Sequence, residues 1–108
     1  LRVKSSASGQ LELEMPWRDE IVSNPAIGSV HGGVLASLID LSGLYVLLAM
    51  GHHVKATADL RVDYHRPATG GPLVACAKLI KLGRQISVAD TEVLGPDGKL
   101  IASGRGAY

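Results

Sequence analysis

One stretch constrains the fold of this chain more than any other. From Val34 to Met50 the sequence is apolar almost without interruption, with the pair Gly32-Gly33 before it and Gly51 after it. The run falls short of the roughly 20 residues that span a bilayer, and Asp40 lies near its middle, where lipid would penalise a charge. It therefore predicts a core helix, opened by the glycine pair and stopped by Gly51, and no membrane partner. Apolar residues occupy nearly the whole circumference, so the expectation is a helix surrounded by protein.

The remaining segments read as strands and turns. Residues 10–15 alternate, with Leu11, Leu13 and Met15 on one side and Gln10, Glu12 and Glu14 on the other, until Pro16 ends the pattern. Residues 17–30 form an irregular connection containing Asn24-Pro25 and Gly28, a place for a substrate-facing loop. After the helix, Val54, Ala56, Ala58, Leu60, Val62 and Tyr64 alternate with polar neighbours, predicting one strand over residues 54–65 that Arg66-Pro67 breaks. Further strands are expected over residues 73–82, 85–94 and 99–108, the last two joined by the turn Gly95-Pro96-Asp97-Gly98. Strands joined so tightly are antiparallel, and only one long apolar helix is available to cover their apolar face. The fold class is α+β, a curved antiparallel sheet wrapped around one central helix, and 108 residues suit a single domain over residues 1–108.

Composition narrows the partners. Eleven Lys and Arg against ten Asp and Glu leave a net charge of +1, which offers no global field for nucleic acid. With 46% hydrophobic residues on so small a body, some apolar surface is expected to be buried against another copy, as a homodimer or homotetramer. The lone Cys76 cannot form an internal disulfide. Leu1 to Gln10 is polar and shows no signal-peptide pattern, although its abrupt start leaves room for a missing leader. A cytoplasmic protein is expected.

Asp40 is the only acidic residue between Glu20 and Asp59. Burying a carboxylate without partners costs several kcal/mol. It is either held by neighbours such as Ser37 or Ser42, or kept for chemistry. His31 stands nine residues earlier, which on a helix is about 13 Å of rise and about 900° of rotation, half a turn net. Helix mouth and carboxylate thus face opposite sides. To act on one substrate they must come from different copies, paired with antiparallel helices about a two-fold axis. Two other constellations fail on their spacing. Ser37 with His31 and Asp40 lacks the Gly-x-Ser-x-Gly elbow of a nucleophile strand. His31, His52, His53 and His65 lack a Glu or Cys that would complete a zinc ligand set, so no metal is expected. Cys76 reads as packing.

His31-Gly32-Gly33 opening an apolar helix, Asp40 nine residues on, Asn24 seven residues before His31, and a strand ending Tyr64-His65-Arg66-Pro67 together resemble the hotdog-fold acyl-CoA thioesterases of the PaaI-like, phenylacetate-degradation type. Gly83-Arg84 and residues 97–102 add to the likeness, which covers almost the whole chain. The resemblance implies hydrolysis of a small-molecule acyl-CoA to free acid and coenzyme A, with no cofactor. It implies Asp40 as nucleophile or general base and the Gly32 N–H, with Gly33 beside it, as the group that polarises the thioester carbonyl. His31 and Asn24 would orient the thioester or the water, and Thr57 would help place that water. Arg66, Lys81, Gly83 and Arg84 are candidates for the nucleotide phosphates, which suit Arg forks and mobile Lys. The alternatives are a hotdog sensor that binds acyl-CoA without turnover, or a hotdog hydratase or dehydratase, whose His and carboxylate occupy a different sequence setting. With no Phe in the chain, the acyl pocket would be built from Leu, Val, Ile, Met and Tyr, which does not separate aryl from aliphatic groups.

Overall fold

The computed structural model describes residues 1–108 apart from Pro25 and Ile27, with Ser23 and Asn24 described by their backbone only. In chain order the elements are β1 (Arg2–Ala7), β2 (Gln10–Met15), a single 3-10 turn at Asp19–Ile21, β3 (Val22–Asn24), β4 (Ser29–Val30), α1 (Gly32–Ala49), β5 (Asp59–Tyr64), β6 (Leu73–Lys81), β7 (Val88–Leu94) and β8 (Leu100–Ala107). Six of the strands form one sheet in the order β1-β2-β6-β7-β8-β5. Every neighbouring pair in it is antiparallel. The helix lies across one face, packed on β6, β7 and β8 with β2 and β5 at its margins. This is the hotdog arrangement that the sequence resembles.

Helix and sheet approach closely because the inner face of the central strands is small. Ala75, Ala77, Ala89 and Ala102 are buried there, and Gly104 continues the row on β8, where a Cβ would come within 2.8 Å of the Ile39 side chain. Into this shallow trough α1 sets Leu35, Leu38, Ile39, Ser42, Gly43, Val46 and Leu47, the 3-4 spacing of one helical stripe. Each fully buried aliphatic side chain among them stabilises the fold by roughly 1.5–3 kcal/mol. The helix ends as predicted. Gly51, at φ 75°, donates to the Leu48 carbonyl at 2.9 Å while the His52 N–H reaches the Leu47 carbonyl at 3.1 Å, the paired bonds of a Schellman cap.

Four expectations need correction. The helix is covered on one side only: Tyr45 and Leu48 are exposed in the single chain, because the sheet curls around one stripe and the opposite apolar face has no cover within this chain. By length and composition α1 could cross a membrane, with a mean hydropathy of 1.8 over its 18 residues, yet the stripe just named is spent on the sheet, as in a core helix. The strand expected over residues 54–65 begins at Asp59. Its partner β8 reaches only Ala107 at the Asp59 position, Ala58 adds one last bond to Ala107, and Tyr108 gives both backbone groups to Ser87, so residues 54–57 have no strand to join among the described residues. Finally, β5 and β6 are consecutive but not adjacent. The connection after Tyr64 carries the chain across the sheet, leaving β5 at the far edge beside β8.

Three strands depart from the sequence reading: β1, and the short β3 and β4, which pair with each other inside the connection expected to be irregular. β1, with all six residues exposed, shows no alternation because it lies at the sheet edge. The outer face of the sheet is charged, and there Arg105 grips Asp90 with two bonds of 2.6 and 2.9 Å, which holds that carboxyl below the usual carboxylate range.

Candidate active site

The helix mouth is built by two features of the sequence. His31 is extended (φ −58°, ψ 130°) and caps the helix, its Nδ1 accepting the Gly33 N–H at 3.2 Å. The Val34 and Leu35 N–H groups turn back to the His31 carbonyl at 2.9 and 3.3 Å. Of the first-turn donors, the Gly32 N–H has no partner among the described residues, so it is the one left to meet an incoming oxygen at the positive end of the helix. The mouth is clamped from the side as well. The Tyr64 hydroxyl donates to the Gly32 carbonyl at 2.8 Å, and its ring lies 3.4 Å from where a Gly32 Cβ would be.

Two turns further on, the Asp40 carboxylate accepts a 2.7 Å hydrogen bond from the Thr57 hydroxyl. It is half-buried rather than sealed, and its partner is Thr57 instead of the helix serines. Ser37 and Ser42 bond their own helix, to the Gly33 carbonyl at 2.8 Å and the Leu38 carbonyl at 2.6 Å. A serine inside a helix finds the carbonyl one turn back before it finds a neighbouring carboxylate. By donating its proton to Asp40, Thr57 leaves its own lone pairs free to accept from a water. Asp40 and Thr57 therefore form a hydrogen-bonded pair at the edge of the single chain, with acceptor capacity left on the hydroxyl. From Gly32 to Asp40 the rise along α1 is about 12 Å, too far for both to touch one carbonyl carbon in the same copy.

The structure does not bring all the candidates together. The Asn24 backbone pairs with Ser29 in the small β3–β4 ladder, but its side chain lies outside the described residues. Arg66 sits at the mouth end, beside a recess of about 360 Å³ that it shares with Thr69, Leu73, Asp97 and Ile101. Lys81 and Arg84 lie at the opposite end of β6, about 26 Å away at strand rise. In one copy these cations cannot share a phosphate group. Gly83 has a structural reason to be glycine, since a Cβ there would run into the Ile86 carbonyl. Its N–H bonds the Ser87 hydroxyl at 3.1 Å, which is also 3.1 Å from His52 Nε2. His31 caps the helix, His52 meets Ser87, and His65 Nε2 lies 2.8 Å from the Ser103 hydroxyl. Among the described residues no three of His, Cys, Asp and Glu are grouped to hold a metal. The Cys76 thiol is pushed up by burial and by the carboxylates of Glu12 and Glu92, which keeps it protonated and a poor nucleophile.

Two tyrosines escaped assignment from the sequence. Tyr64 stands in the Tyr-x-Arg-Pro motif but carried no role. Tyr108, 7% exposed, donates its hydroxyl to the Asp40 carbonyl at 2.9 Å. Its signal was the run Ala102, Gly104, Gly106, Tyr108, where small residues on one strand face end in a large one.

Known proteins share both the fold and the segments that build this site. The family model described as the thioesterase superfamily matches residues 27–102, which include the helix mouth, Asp40 and Thr57. Human acyl-coenzyme A thioesterase 13 is 32% identical over 104 residues, covering 94% of this chain and 73% of its own. A solved structure described as a protein from the thioesterase superfamily superposes with a TM-score of 0.91 at 44% identity, over 98% of this chain and 80% of that one. The PaaI protein from the phenylacetic acid degradation operon of E. coli superposes with a TM-score of 0.87 at 28% identity, over 98% and 79% of the two chains. The chain thus belongs to the thioesterase superfamily, as a thioester hydrolase on a hotdog fold.

Proposed function

We propose that this protein hydrolyses an acyl-CoA to a carboxylic acid and coenzyme A, as a cytoplasmic homo-oligomer in which each active site is shared by two copies. The observation that carries this reading is the placement of Asp40, 2.7 Å from the Thr57 hydroxyl, on the same helix as a Gly32 N–H that has no partner among the described residues and that Asp40 cannot reach. A second copy with its helix antiparallel sets one mouth opposite the other's carboxylate, twice per dimer. The exposed β5 edge and the uncovered Tyr45 and Leu48 on α1 supply surface for that pairing.

In the reaction, Asp40 either takes a proton from a water held by Thr57 or attacks the thioester carbon itself. The carbonyl oxygen becomes an oxyanion held by the Gly32 N–H, which is already aimed and needs no reorganisation. His31 and Asn24 orient the thioester at the mouth. The C–S bond breaks, the thiolate takes up the proton, and water supplies the oxygen of the acid. The steps balance with water alone and call on no metal or cofactor. The nucleotide phosphates are held by basic side chains at one end of the sheet, Arg66 on the mouth side or Lys81 and Arg84 on the other.

The test is thiol release from short, long and aryl acyl-CoAs, followed by mixing of two inactive chains. Asp40→Asn and Gly32→Pro, refolded together, are expected to regain about a quarter of the wild-type sites, because half of the dimers are mixed and each mixed dimer contains one intact site. Binding of acyl-CoA without thiol release would make the protein a sensor. Release by the wild type with no regain on mixing would place each site within a single copy.

A further inference from the structure

Behind the Asp40–Thr57 pair, on the inner side of the helix, the structure builds a slot for one phenol. Gly43, one turn beyond Asp40, and Gly106 on β8 face each other, and a Cβ on either would run into the Tyr108 ring and hydroxyl. Glycine inside a helix weakens it, so Gly43 needs a reason, and the reason is room for this side chain. The phenol passes between helix and sheet and ends on the Asp40 carbonyl at 2.9 Å. That carbonyl is in mid-helix and already accepts a bond from the helix's own N–H. The hydroxyl therefore does not satisfy an orphan acceptor. It ties down the one turn of α1 whose side chain is the candidate catalytic carboxylate.

We infer that Tyr108 is a positioning residue for hydrolysis: its hydroxyl fixes the backbone of Asp40 so that the carboxylate stays in line with the Thr57 hydroxyl. The inference rests on the reading of Asp40 as catalytic. Three observations support the assignment over mere filling of space. The hydrogen bond is directed at Asp40 rather than at the neighbouring Ser42, whose hydroxyl is engaged with Leu38. The position of the ring is dictated from both sides, by Gly43 and by Gly106. Burial, and next the charge of Asp40, push the phenol's ionisation upward, so it remains a donor wherever the enzyme works.

The test is a double-mutant cycle of Tyr108→Phe and Asp40→Asn, read by thiol release with melting curves alongside. Tyr108→Phe keeps the ring and removes the donor. It is expected to lower kcat about five- to tenfold, the effect of one neutral hydrogen bond, with KM within about twofold. Added to Asp40→Asn, it should change the residual rate less than about twofold, since the carboxylate it positions is gone. A third variant, Tyr108→4-aminophenylalanine, keeps both ring and donor. It should stay within about twofold of the wild-type kcat, and it gives a readout even if the Phe variant melts early. Wild-type kcat in Tyr108→Phe, an equal loss in both backgrounds, or an aminophenylalanine variant as slow as the Phe variant would each overturn the role of Tyr108 alone. Wild-type turnover by Asp40→Asn would remove the reading of Asp40 and this inference with it.

Discussion

The mouth of α1 and its middle solve opposite problems. At the mouth the backbone must be open: two glycines, an exposed His31 cap and an N–H without a partner among the described residues leave room for a ligand to approach the main chain. In the middle the backbone must be shut: the Tyr108 ring is wedged between Gly43 of the helix and Gly106 of the sheet, with the Asp40 carbonyl taken by Tyr108 and its carboxylate by Thr57. Each region has its tyrosine. Tyr64, 56% exposed, leans on the mouth from outside, whereas Tyr108 is buried under the middle. On the proposed function the two regions divide the labour, the mouth supplying a backbone dipole and the middle a side chain. Only the side chain needs a rigid floor.

The largest effect should come from breaking the middle. Asp40→Asn keeps a hydrogen-bond acceptor for Thr57 and the shape of the side chain while removing the charge. Turnover is expected to fall on the order of 10³-fold, with stability changed by no more than about 0.5 kcal/mol, as for a partly exposed site. Thiol release and thermal melting on the same sample check both halves. Near-wild-type turnover would take the carboxylate out of the chemistry and leave the middle of the helix a purely structural device.

The mouth can be broken more selectively, because its contribution is a backbone group. Proline is well tolerated at the first helical position, where its missing N–H is not used by the helix. His31 already has the extended conformation that a residue before proline requires. Gly32→Pro therefore removes the N–H with little cost to the helix, while Gly32→Ala adds a Cβ at an ordinary 3.4 Å from Tyr64 and keeps the donor. The proline variant should turn over about 10²-fold more slowly than the alanine variant, the usual effect of deleting one oxyanion donor. Equal rates in the two would mean that the mouth does not hold the oxyanion.

The same contrast explains what the sequence revealed. The mouth was legible because its message is local: a glycine pair before an apolar run reads as a helix start, and His31, Gly32 and Gly33 take those places in the structure. Asp40 was legible as an anomaly, a charge inside apolar sequence, but its surroundings were not. Thr57 is seventeen residues away and came only from the family resemblance, in a segment that the alternation of residues 54–65 placed in a regular strand. Tyr108 is sixty-eight residues away and reaches Asp40 only because Gly43 and Gly106 vacate the space between them, a three-way fit that no window of sequence contains. The order of the sheet was hidden for a similar reason. Short turns predict which strands are antiparallel, but not that β5 would travel to the far edge to lie beside β8.

The smallest expected effect concerns Tyr108 alone, is read through pH and needs no substrate. The Tyr108 phenol is raised above its ordinary value of 10.0, first by burial and then by the Asp40 charge and its hydrogen bond there. A group raised in the folded state contributes its full stability below the unfolded value and loses it as pH climbs toward the folded one. Above about pH 10 the unfolded chain releases this proton while the folded chain keeps it, so the slope of stability against pH is negative, at most about 1.4 kcal/mol per pH unit from this one residue. Tyr108→Phe has no proton to release at that position. Urea unfolding between pH 9 and about pH 11 should therefore show the wild type losing stability more steeply than the variant, the two curves converging as pH rises. Parallel curves would mean that solvent reaches the phenol, and the middle of α1 would then be as open as its mouth.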